Sequence, residues 1–221
     1  MRAILILTLI FILTSCTGTV RKMINNADYD YNVAIKKFDE AIQRNSNNAN
    51  LYQSRSLANL LLENYDSALS DINKSIELNS NSHAAAKKSI NFNCRGLIYH
   101  HQGKDNLAIL DFDKSIELNN KNNTAFVNKG NSLFCLKDTG AAINQLENSF
   151  KYFHGFAKQP IYLYLGFIYA QSDNYIQASN CFDKLKWKDE RLKKVFPCKI
   201  CKPCYPFTFE EYNRIKSKTK N

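Results

Sequence analysis

The feature that most constrains this chain is a pattern that returns. Counted from Phe92, Gly96 and Tyr99 stand at offsets 4 and 7, and Ala108, Phe112 and Ser115 at offsets 16, 20 and 23. Counted from Phe126, 34 residues on, the same offsets meet Gly130, Leu133, Ala142, Leu146 and Ser149. Counted from Tyr162, a further 36 on, they meet Gly166, Tyr169, Ala178, Phe182 and Leu185. Upstream, 40 residues before Phe92, Tyr52 opens a copy with Ser56, Asn59, Ala68, Ile72 and Ser75. Ala34, Phe38 and Ala41 repeat the second half of the pattern alone. The surplus of six residues before Phe92 falls in Ser82–Lys88 and predicts an extended helix or a longer turn there. Glycine or serine at offset 4 and alanine at offset 16 remove side chains where two helices cross closely, and the large apolar residue at offset 20 fills the space beside them. A unit of this size cannot bury its apolar face alone, so the copies must stack.

These spacings resemble the tetratricopeptide repeat, whose helix-turn-helix unit of about 34 residues follows W-x2-L-G-x2-Y and then A-x3-F. Tyr65 and Tyr175 also stand after the inter-helix turn, where the family usually has tyrosine. The proline that usually closes each unit is replaced by Ser46, Ser80, Asn120, His154 and Glu190. The resemblance implies an all-α fold, a right-handed superhelical array of about four and a half repeats over residues 28–190, followed by a C-terminal capping helix.

The same resemblance implies that the first helix of each pair lines a concave groove for a protein or peptide. By register the groove candidates are Asn50, Gln53, Leu57, Leu60 and Leu61, then Asn93, Leu97, His100 and His101. They continue with Val127, Asn131, Phe134 and Cys135, then Leu163, Phe167 and Gln171. Almost none is charged, so the cationic set used by the carboxylate-clamping members of the family is missing. His100 and His101 point about 100° apart on a helix and cannot chelate one ion together. Exposed histidine there would make binding pH-sensitive near its ordinary value of about 6.5.

After the last repeat, residues 191–221 form a basic, cysteine-rich end. From Lys184 to Asn221 there are twelve Lys or Arg against four Asp or Glu, whereas the chain from Cys16 to Asp183 is nearly neutral. The charge is therefore a property of the tail, and nucleic acid is not an expected partner. The run Pro197–Cys204 reads PCKICKPC, and its prolines forbid a helix. Beyond it, Thr208–Glu211 fits a capping box, and Phe209, Tyr212 and Ile215 recur every three residues along one helical face. Cys198, Cys201 and Cys204, with Cys181 expected on the outer side of the last second helix, are candidates for a disulfide or a metal site. Pairing cannot be read from spacing.

At the other end, residues 1–15 read as a signal peptide: Arg2, then an apolar run from Ala3 to Leu13 that is short for a membrane span. Leu13-Thr14-Ser15-Cys16 resembles the lipobox of bacterial lipoproteins, which implies lipid attachment at Cys16 and residues 16–27 as a tether. The expected location is the cell envelope, lipid-anchored, with the outer membrane favoured. No activated nucleophile, phosphate loop or acid pair stands out, so neither enzyme activity nor a cofactor is expected. The reading is a membrane-anchored interaction scaffold; the alternative is a metal- or redox-responsive protein acting through Cys198, Cys201 and Cys204. Oligomeric state is not legible.

Overall fold

The computed structural model describes residues 30–185, with 213–215 and 217. Residues 30–185 form nine α-helices, residues 213–215 and 217 are also helical, and among the described residues there is no strand. The nine are α1 (Tyr31–Arg44), α2 (Ala49–Leu61), α3 (Tyr65–Leu78), α4 (Ala85–His101) and α5 (Asp105–Leu118), then α6 (Asn123–Cys135), α7 (Thr139–Ser149), α8 (Gln159–Gln171) and α9 (Tyr175–Asp183). Two 3₁₀ turns, Phe150–Tyr152 and Gly155–Lys158, link α7 to α8. Helix α1 is the lone second helix of the half repeat. The first helices α2, α4, α6 and α8 pack on their own second helices and also touch one another in succession. That double contact makes an array rather than a string of hairpins.

The offsets read from sequence meet in space. The Ala at offset 16 is fully buried in each complete repeat, at Ala68, Ala108, Ala142 and Ala178. A Cβ added to Gly96 would stand 2.7 Å from the Phe112 ring, and one on Gly130 would stand 2.9 Å from Leu146. Gly166 meets Phe182 in the same way. In the first full repeat Ser56 takes the glycine position, and its hydroxyl donates to the Ala68 carbonyl at 2.8 Å. Two of the three offset-23 serines tie the far ends of their pairs: Ser75 donates to the Ala49 carbonyl at 2.9 Å, and Ser115 to the Ser89 carbonyl at 2.8 Å, whereas Ser149 donates to the Leu146 carbonyl of its own helix.

Each turn inside a repeat is closed alike. The residue at offset 11 has a left-handed backbone: Glu63 (φ 63°), Gly103 (φ 72°), Lys137 (φ 66°) and Asp173 (φ 57°). The following N–H returns to a carbonyl five residues back, from Asn64 to Asn59, Lys104 to Tyr99, Asp138 to Leu133 and Asn174 to Tyr169. This is the Schellman closure of a helix end. The six-residue surplus before Phe92 is divided: α4 begins a turn earlier than its counterparts, and the loop before it is two residues longer.

A recurring ionic clamp joins repeats. Arg55 makes a bidentate pair with Asp71 of its own repeat (2.8 and 2.6 Å) and reaches back to Asp39 of the preceding one at 2.6 Å. Arg95 does the same with Asp111 (both 2.8 Å) and Asn73 (3.0 Å). In the next copy Lys129 keeps only the backward link, to Asp113 at 2.6 Å. In the last copy Leu165 and Cys181 occupy the Arg and Asp offsets, and both are buried in the apolar cluster. Cys181 is therefore not outward-facing as expected from sequence. It stands three residues after Ala178, one turn along the face that packs on the first helix, and burial pushes its thiol up to about 11. Ile215 is also buried in this cluster, while Asn213, Arg214 and Ser217 are exposed. The signal peptide, Cys16, the tether, and Cys198, Cys201 and Cys204 lie outside the described residues. Among those described, no helix is long and apolar enough to cross a membrane.

Candidate functional site on the first helices

The predicted groove residues fall into two groups. Asn93, Leu97, His100, Val127, Asn131, Leu163 and Phe167 are buried, as are Gln53, Leu57 and Leu60. Asn50, Leu61, His101, Phe134 and Cys135 are half-buried, and Gln171 is exposed. The buried ones hold repeats together. Asn93 on α4 donates to Thr124 Oγ1 at 3.4 Å and accepts from Asn128 Nδ2 at 3.1 Å, both on α6. His100 Nδ1 lies 2.6 Å from Asp105 Oδ1 and 3.0 Å from Ser132 Oγ. A carboxylate only accepts, so the imidazole presents an N–H to Asp105. The seam between α4, α5 and α6 is therefore held by polar side chains as well as by apolar packing.

Among the described residues, four buried polar atoms have no hydrogen-bond partner: Asn91 Nδ2, His101 Nε2, Gln102 Oε1 and Asn131 Oδ1. Each unmet group costs about 1–3 kcal/mol. Asn131 and His101 are the two of these four residues that the sequence also placed in the groove. His101 is not the expected sensor near 6.5: burial, with some repulsion from His100, lowers it to about 4. The sequence reading missed the Arg55 and Arg95 clamps. Their signal is present, Arg at offset 3 and Asp at offset 19 in two successive copies, but it is masked by the stronger apolar spacing.

The sequence matches the family profile described as tetratricopeptide repeat over residues 49–82 and 95–122, the units that contain Ser56/Ala68/Ile72 and Gly96/Ala108/Phe112. Over those residues the chain carries tetratricopeptide repeats. Tetratricopeptide repeat protein 36 of Xenopus tropicalis is 36% identical over 89 residues. That match spans 40% of this chain and 43% of the relative, less than half of either. Among solved structures the tetratricopeptide array is similar to MamA, with a TM-score of 0.57 at 18% identity, covering 80% of this chain and 98% of that one. It is also similar to a thermophilic TPR protein of Thermus thermophilus (TM-score 0.56, 15% identity, 75% and 89% covered). A third is pilF of Pseudomonas aeruginosa (0.54, 14%, 94% and 78%). At such identities these likenesses concern the fold.

Proposed function

We propose that the protein is a lipid-anchored scaffold of a bacterial cell envelope whose tetratricopeptide array captures a protein or peptide. Tetratricopeptide arrays are scaffolds for protein–protein interaction and are generally not enzymes. The observation that carries the reading for this chain is the half-buried Phe134 at a groove offset of first helix α6, with Asn50, Leu61 and His101 at groove offsets of the other first helices also partly exposed. An extended peptide offers side chains to partly exposed surface of this kind. The anchor is read from Leu13-Thr14-Ser15-Cys16. Two or more acyl chains on Cys16 would hold the protein stably to a membrane, where a single chain is marginal.

Two experiments test the two halves separately. Cross-linking in native membranes, wild type against Phe134→Glu, reads capture: loss of a specific cross-linked partner in a folded variant supports the surface, and an unchanged pattern removes it. Phe167→Glu is unsuitable because Phe167 is buried in the core. For the anchor, Cys16→Ser should move the protein from the membrane to the soluble fraction; unaltered attachment excludes the acyl group.

A further inference from the structure

Three metal-ligating side chains from three helices converge on the polar seam. His100 stands in the last turn of α4, Asp105 is the first residue of α5, and Cys135 is the last residue of α6. One ligand atom from each lies within 4.8 Å of the other two. His100 and Asp105 are buried and Cys135 is half-buried, so the cluster reaches toward solvent on the sulfur side. Cys135 is disulfide-bonded in this structure, so its sulfur becomes a ligand only on reduction. We propose that in the reduced chain His100, Asp105 and Cys135 bind a zinc-type dication, which staples the α4–α5 repeat to α6.

The chemistry of the set supports this. One imidazole nitrogen, one carboxylate oxygen and one thiolate suit a borderline dication, and three protein ligands leave a fourth tetrahedral position for water or an outside ligand. Bonds of about 2.0–2.3 Å put ligand atoms roughly 3.5 Å apart around a tetrahedral ion, so the cluster needs only small rotations. His100 Nδ1 already faces the Asp105 carboxylate, so an ion would take the place of the proton between them. His100 and Cys135 stand at the C-terminal ends of their helices, where the backbone carries negative partial charge that favours a cation. Binding displaces the thiol proton of Cys135 to solvent, moves the His100 ring proton from Nδ1 to Nε2, and exchanges the His100–Asp105 hydrogen bond for bonds from nitrogen, oxygen and sulfur to the metal. Because the ligand is a thiolate, the disulfide closes the site and a thiol reductant, by taking up the other sulfur's bond, opens it. Sequence alone excluded His100 with His101. It did not bring in Asp105, five residues on, or Cys135, which arrives from the next repeat.

The test uses the full chain with Cys198, Cys201 and Cys204 changed to Ser, reduced and titrated with Co²⁺. The expected result is one ion per chain with a sulfur-to-cobalt charge-transfer band and the visible bands of a tetrahedral ion. Cys135→Ser should abolish the charge-transfer band, while Cys181→Ser leaves it intact. Asp105→Asn, which preserves size and hydrogen bonding, should weaken Co²⁺ binding at least tenfold with unchanged helical circular dichroism. A chain that gives no charge-transfer band, a band that survives Cys135→Ser, or full affinity in Asp105→Asn overturns the site.

Discussion

The ring of Phe112 lies against the bare backbone of Gly96, close enough that a methyl group on Gly96 would stand 2.7 Å from it and 3.0 Å from the Ala108 carbonyl. The carbonyl cannot yield without moving α5, so Gly96→Ala should force the pair apart. The expected loss is about 1–3 kcal/mol, read as a lowered urea midpoint. Gly140→Ala is the control, since its added Cβ meets only an Asp138 oxygen at 4.0 Å; equal losses in the two variants would remove the close crossing as the cause.

The turns invite the opposite experiment. Lys137 holds a left-handed backbone (φ 66°) where the preceding repeat has Gly103 (φ 72°). A Cβ in that conformation costs roughly 1–2 kcal/mol, partly offset by the greater freedom of glycine in the unfolded chain. Lys137→Gly should therefore raise stability by about 0.5–1 kcal/mol, and Gly103→Ala should lower it by about 1 kcal/mol. Thermal melts of the two variants check the signs.

Arg95 and Lys129 occupy the same offset with different surroundings. Asp111, the partner of Arg95, is buried and held by two hydrogen bonds, whereas Asp113, the partner of Lys129, is half-exposed with one. Arg95→Met leaves a buried carboxylate without its cation and should cost about 2 kcal/mol. Lys129→Met should cost less than about 1 kcal/mol. Raising salt to about 1 M should weaken the wild-type Lys129 link and leave the Arg95 clamp nearly unaffected.

His101 sets a pH dependence with a definite sign. Its folded value of about 4 lies below the unfolded value of about 6.5, because burial disfavours the charged ring. Above about pH 6.5 it is neutral in both states and contributes nothing to the slope. Between about pH 6.5 and 4 the unfolded chain takes up a proton that the fold refuses, so stability falls by about 1.4 kcal/mol per unit, toward about 3 kcal/mol in all. His101→Gln should remove that part of the loss between about pH 7.5 and 4.5. Identical losses in the variant and the wild type would show that His101 is not buried neutral.

The helix pairs were legible because their signal is local and periodic: small residues at offsets 4 and 16 and a large one at 20 can meet in only one way. The inner surface was less legible. Offset alone placed Asn93 and Phe167 on the groove side, yet whether such a residue faces solvent depends on how far each repeat rotates on the next. The Asn93–Asn128 bond and the buried Phe167 ring record that rotation. Cys181 was misplaced for a related reason. Its offset holds Asp in two earlier repeats, and the loss of the matching Arg at Leu165 turned an ionic contact into an apolar one. The Asp105 and Cys135 partners of His100 come from separate helices, and no spacing within one unit announces them.

The measurement that bears most directly on close crossing as the source of the array is a double-mutant cycle at Gly130 and Leu146. Gly130→Ala alone should destabilise, because its Cβ meets the Leu146 side chain at 2.9 Å. In a Leu146→Ala background the same methyl enters vacated space, so the double variant should be more stable than the sum of the singles by at least about 1 kcal/mol. Strict additivity of the two changes would contradict a packing of helix pairs set by glycine against a large side chain.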